Sequence, residues 1–141
     1  MSVPNRAILA SFACFGLSLV GPGFYSGGET AKGLDLLMIG WMGILDGVVA
    51  WMANPLLLAA WISYFNRRHR VTAATSILAA LFMLSFLFVS SVPASGGGRT
   101  SNIHAGWGYW LWVASAVLAY LGVDSQIQKE EMDVSTDREQ R

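Results

Sequence analysis

The sequence predicts an all-α integral membrane bundle of four transmembrane helices, and three observations carry that expectation. Hydrophobic residues make up 54% of the 141-residue chain and charged residues only 13%, where a soluble domain carries about 25% charge; mean hydropathy is +0.48. The charges are segregated, with none in residues 7–28, none in 71–93, and a dense set after Leu121. The apolar runs are close to the roughly 20 residues that cross about 30 Å of hydrocarbon.

The first span is expected at residues 7–25, closed by Gly21-Pro22-Gly23. Behind Arg6 its apolar core also has the form of a signal peptide, but Gly-Pro-Gly-Phe-Tyr is a weak cleavage site and three more spans follow. A polar loop, SGGETAKG, comes next. The longest run, 34–65, has 32 residues and would reach about 48 Å as one straight helix, too long for a single crossing. Asp46-Gly47 and Asn54-Pro55 are its natural break points. The second span is therefore expected at 47–66, with a short interfacial or re-entrant helical segment before it. Asp46 serves as its N-cap, and Pro55, which has no N–H for the carbonyl of Trp51, kinks it. The third span, 71–92, is uncharged and rich in small residues suited to close helix contact. PASGGGRTSNIHAG is too rich in Gly and Ser to hold a helix. The fourth span is expected at 107–123, and 124–141 forms a polar tail that frays.

Lysine and arginine set the orientation. With four crossings and the N-terminus inside, the cytoplasmic face holds Arg6, Arg67, Arg68, Arg70, Lys129, Arg138 and Arg141, against Lys32 and Arg99 outside. Splitting 34–65 into two crossings would put RRHR outside. Both termini are thus expected in the cytoplasm of a bacterium, with the protein in its inner membrane. GWGYWLW supplies outer interface anchors in Trp107, Tyr109, Trp110 and Trp112. Arg67, Arg68 and Arg70 anchor the inner face, next to a belt of Trp61, Tyr64 and Phe65.

Several chemistries are disfavoured. Zero net charge gives no nucleic-acid surface. Cys14 is the single cysteine, so neither a disulfide nor a CxxC pair can form within the chain, and it reads as packing. His69 and His104 are expected on opposite faces and cannot share a metal or haem, so no metal or cofactor is expected. No nucleophile–base arrangement is legible, and the first span lacks the glutamate of small four-helix drug exporters. The candidate ligand or partner residues are Asp46, Trp51, Asn54 and Pro55. A buried carboxylate in hydrocarbon costs about 2.5–3.5 kcal/mol at least, so such a residue often marks function. Asn54 can bond a neighbouring helix or a substrate at a broken helix.

The segment WMANPLLLAAWISYFNRRHR, followed by an apolar span and a GYWLW-type aromatic span, resembles a recurring type of small bacterial multi-pass membrane protein. The resemblance covers residues 34–122 and implies architecture, with no activity attached to it. The expected function is that of a non-enzymatic accessory or immunity-type protein that sits in the lipid bilayer and binds another membrane protein or itself. The alternative is an oligomeric small-molecule or ion transporter using Asp46 and Asn54.

Overall fold

The computed structural model describes residues 6–26, 28–89, 91–93 and 100–139. It is mostly helical, with five α-helices: α1 (Arg6–Val20), α2 (Gly33–Ile39), α3 (Ala53–Phe65), α4 (His69–Ser85) and α5 (Trp107–Glu139). Two stretches, His69–Phe88 and Trp107–Gln128, are long and apolar enough to cross a membrane. Arg6–Val20 and Val49–Phe65 are shorter apolar helices.

The chain is not all-α. Strands β1 (Pro22–Ser26), β2 (Glu29–Lys32), β3 (Ser91–Pro93) and β4 (Thr100–Ala105) form an antiparallel sheet of order β2-β1-β4-β3. Tyr25 pairs with Thr30 on one side and His104 on the other, while Val92 pairs with Ser101. Both segments read as loops in the sequence because Gly and Ser dominate them. Pairing satisfies their backbone groups instead, which buried or half-buried polar groups require. The sheet ties together the end of α1, the end of α4 and the start of α5, so it caps one end of the bundle. Residues 94–99 of the expected Gly-rich loop lie outside the described residues.

Around the bundle α1 packs on α5, α5 on α4 and α4 on α3. Trp61 of α3 closes the ring against α1, stacking on Phe12 at 4.3 Å and meeting Phe15 edge-on at 5.3 Å. The interior is made of small and hydroxyl side chains alongside a few large ones: Ser11, Thr72, Ser76, Ala79, Ser115, Ala116 and Ala119 are buried with Ile8, Leu57 and Met83. The outside carries Leu9, Leu17, Leu58, Ile62, Leu78, Leu81, Leu87 and Leu121.

Between α3 and α4 the chain reverses sharply. Arg68 N–H donates to the Ser63 carbonyl and Arg67 N–H to the Tyr64 carbonyl. Arg67 takes φ 56°. This is a Schellman ending with arginine where glycine is usual. Arg67, Arg68 and Arg70 are all exposed there.

The start of the second span differs from the expected one. A 3₁₀ run, Gly40–Asp46, ends at Gly47, whose φ of 79° is left-handed, and Val48 is extended. The next helix starts only at Val49, as a 3₁₀ turn to Met52, and becomes α-helical at Ala53. Asp46 therefore ends one helical run, and the N-cap position of the next helix falls to Val48. Pro55 is the third residue of α3, which follows directly on the 3₁₀ turn, so the helix changes from 3₁₀ to α-helical winding beside it. The residues of the polar tail continue α5 to Glu139, with Gln128 Nε2 donating to Asp124 one turn earlier at 2.9 Å.

Candidate functional site

The arithmetic of the α-helix divides the aromatic run at the start of α5. Residues three apart share a face, and residues two apart stand about 200° round. Trp107 and Trp110 accordingly point outward, each about half exposed. Tyr109 and Trp112 point inward. Tyr109 is 4% exposed, and its hydroxyl donates to the Met83 carbonyl at 3.0 Å. Trp112 Nε1 donates to Asn54 Oδ1 at 3.0 Å. Half of the predicted interface belt is thus interior structure. The same holds at the other end, where Trp61 is buried and its Nε1 donates to Ser11 Oγ at 3.0 Å.

Tyr109 and Trp112 form one wall of a chamber of about 580 Å³ beneath the sheet. The end of α1 contributes Phe15, Ser18 and Leu19; β1 contributes Phe24; the segment just after α4 contributes Phe86 and Val89; and the 3₁₀ turn Val49–Met52 with the start of α3 contributes Ala50, Trp51 and Asn54. The sixth wall is α2 with its 3₁₀ continuation, through Leu36, Leu37, Gly40, Gly43 and the backbone at Gly47. This segment has an apolar outer face as well, with Leu34, Met38, Ile39, Trp41, Met42 and Leu45 exposed. It is held by a side chain: Trp51 Nε1 donates to the Leu37 carbonyl at 3.0 Å. Trp51→Phe is expected to release this tie. A neutral hydrogen bond contributes about 0.5–1.5 kcal/mol, so hydrogen exchange in Gly33–Leu45 should speed up roughly two- to tenfold. Unchanged exchange would mean that packing alone holds the segment.

The polar side chains lining the chamber are few. Ser18 Oγ donates to the Phe15 carbonyl at 2.6 Å, and the donors of Trp51, Tyr109 and Trp112 are used as above. Among the described residues the Asn54 amide nitrogen has no partner. Among the described residues the lining holds no carboxylate, guanidinium, amine, imidazole or thiol. No group of three metal-binding side chains occurs among the described residues.

Of the sequence candidates, the structure brings Trp51 and Asn54 together in one wall. Pro55 is exposed and adjoins the site only through the chain. Asp46 neighbours the chamber through Gly47, and its side chain lies outside the described residues. The sequence reading missed Phe15, Phe24, Leu37 and Phe86. Helical spacing could have flagged Tyr109 and Trp112; nothing local distinguishes the other four. No known family model matches the chain, and no curated protein or solved structure shows significant similarity to it.

Proposed function

We propose that this is a four-crossing protein of a bacterial cytoplasmic membrane, with both termini inside, that acts as a non-enzymatic accessory protein by holding an apolar guest at the outer side of the bilayer. The observation that carries the reading is the chamber. About 580 Å³ lies within the roughly 300–1,000 Å³ range of small-molecule sites, and such sites are mostly apolar and aromatic with a few placed polar groups. A lining of aromatic and aliphatic side chains, glycine backbone, the Ser18 hydroxyl and the Asn54 amide suits binding, and among its described residues stands no carboxylate or imidazole to serve as a general base. Membrane residence is supported by the distribution of side chains. Large aliphatic residues face outward while hydroxyls and alanines pack inside, which suits a lipid solvent, where close small-residue contact and interhelical hydrogen bonds replace the hydrophobic drive. The exposed arginines of the α3–α4 turn lie at the bundle end away from the sheet, which agrees with the inner side.

The test is retention of a guest. Protein extracted in maltoside micelles should release a stoichiometric apolar molecule on denaturation, detectable by mass spectrometry. Val48→Trp, which fills the chamber from a position outside regular helix, should fold and release less than about a tenth as much. Equal recovery from both would place the molecule on the outer surface and end the chamber reading. Recovery of a larger membrane protein in fixed ratio would give the accessory role its recipient.

A further inference from the structure

Resting on the reading of the chamber as a binding site, we propose that its guest is a neutral apolar molecule carrying a carbonyl oxygen, selected by the Asn54 amide N–H group. The two ends of an asparagine amide differ only in what they accept or donate, and a neighbour decides which faces where. Here the neighbour is the Trp112 indole, which can donate and cannot accept. Its Nε1 lies 3.0 Å from Asn54 Oδ1, so the oxygen is fixed on Trp112 and the NH₂ is left over. The other polar donors of the lining are committed: Ser18 to Phe15, Trp51 to Leu37 and Tyr109 to Met83. Among the described side chains of the lining, the Asn54 NH₂ is therefore the donor left uncommitted, in an apolar, aromatic-walled space. A guest without an acceptor leaves it unsatisfied. A charged guest would lose its hydration with no opposite charge among the described residues of the lining. A carbonyl on an otherwise apolar body matches both constraints. Two sources share that chemistry: the acyl ester of a bilayer lipid, and an apolar ring ketone or quinone.

The experiment is photolabelling in maltoside micelles, a detergent without a carbonyl. One probe is a long-chain fatty acid methyl ester with a terminal diazirine; the other is the hydrocarbon of equal length with the same tag. Labelled residues are read by mass spectrometry. In the wild type the ester should label the lining around Phe24 and Trp51 at about 2- to 10-fold lower concentration than the hydrocarbon, the ratio that one net neutral hydrogen bond gives. Asn54→Leu should bring the two probes to parity while hydrocarbon labelling persists. Asn54→Asp, which still accepts from Trp112 but when ionised offers no donor, should also remove the ester preference, and it serves where Asn54→Leu fails to fold. Competition separates the sources: displacement by a diacyl phospholipid assigns the ester, and displacement by a prenylated benzoquinone alone assigns the ring carbonyl. Equal labelling by both probes in the wild type, or a preference that survives both substitutions, overturns this proposal and leaves the chamber reading standing. Labelling confined to outward residues such as Leu81, with either probe, overturns the chamber reading itself.

Discussion

Gly106→Ala is expected to remove most of the folded protein. Gly106 joins β4 to α5, and its N–H donates to the Gly23 carbonyl at 2.9 Å. That bond draws two backbones together so closely that an added Cβ would lie 2.2 Å from the Pro22 carbonyl oxygen and 2.8 Å from its carbon. Neither atom can swing aside as a side-chain tip would. Relief requires separating the sheet from the start of α5, which also displaces Tyr109 and Trp112. Overpacking costs about 1–3 kcal/mol where neighbours can adjust, and the upper end applies here because the obstacle is main chain. Gly16→Ala is the matched control. Nothing lies within 4 Å of its added Cβ, and alanine in a helix interior is favoured over glycine by about 0.5–1 kcal/mol. Unfolding in micelles, followed by circular dichroism, should show Gly106→Ala lost or strongly destabilised and Gly16→Ala unchanged or more stable. Similar behaviour of the two would refute the close approach of β1 and α5.

The second large effect is expected at the centre of the bundle. Trp61 Nε1 donates to Ser11 Oγ at 3.0 Å, and Ser11 Oγ donates to the Ser115 carbonyl at 2.7 Å. The chain of bonds ties α3 to α1 and α1 to α5 where Ser11 and Ser115 are fully buried. Ser11→Ala removes the acceptor and strands a buried indole N–H, costing about 1–3 kcal/mol; membrane hydrogen bonds average nearer the low end. Trp61→Phe removes the donor and some packing against Phe12 but strands nothing, because Ser11 keeps Ser115. The double variant should therefore be more stable than the sum of the singles predicts, by about 0.5–2 kcal/mol in a mutant cycle. Additive effects would mean that Trp61 is held by ring stacking and not by its hydrogen bond.

The helices were legible because uncharged runs such as that around Ile77–Leu87 leave little alternative to a helix. Their limits were less legible. Gly21-Pro22-Gly23 marks the end of α1 in sequence, yet the strand that follows depends on β4, some 80 residues away, which no local pattern encodes. At Trp107–Trp112 the helical turn divides the expected belt: Trp107 and Trp110 face outward, while Tyr109 and Trp112 face inward by geometry alone. The residue type of Asp46 suggests a cap; the left-handed Gly47 beside it moves the next helix start to Val49. Asn54 was legible as a polar group inside an apolar run, but its partner Trp112 was not. The chamber was beyond reach because its walls come from six separate segments.

The central claim is that the chamber lies at the outer face of a bundle standing in the membrane. Its most direct test is thiol accessibility in intact bacterial cells. In a Cys14→Ser background, Lys32→Cys lies at the end of β2, beside the chamber, and Arg70→Cys lies at the start of α4, at the opposite end of the bundle. The account predicts that a membrane-impermeant maleimide labels Lys32→Cys in intact cells and reaches Arg70→Cys only after the membrane is opened. Labelling of Arg70→Cys from outside, or of both positions only after lysis, would contradict it.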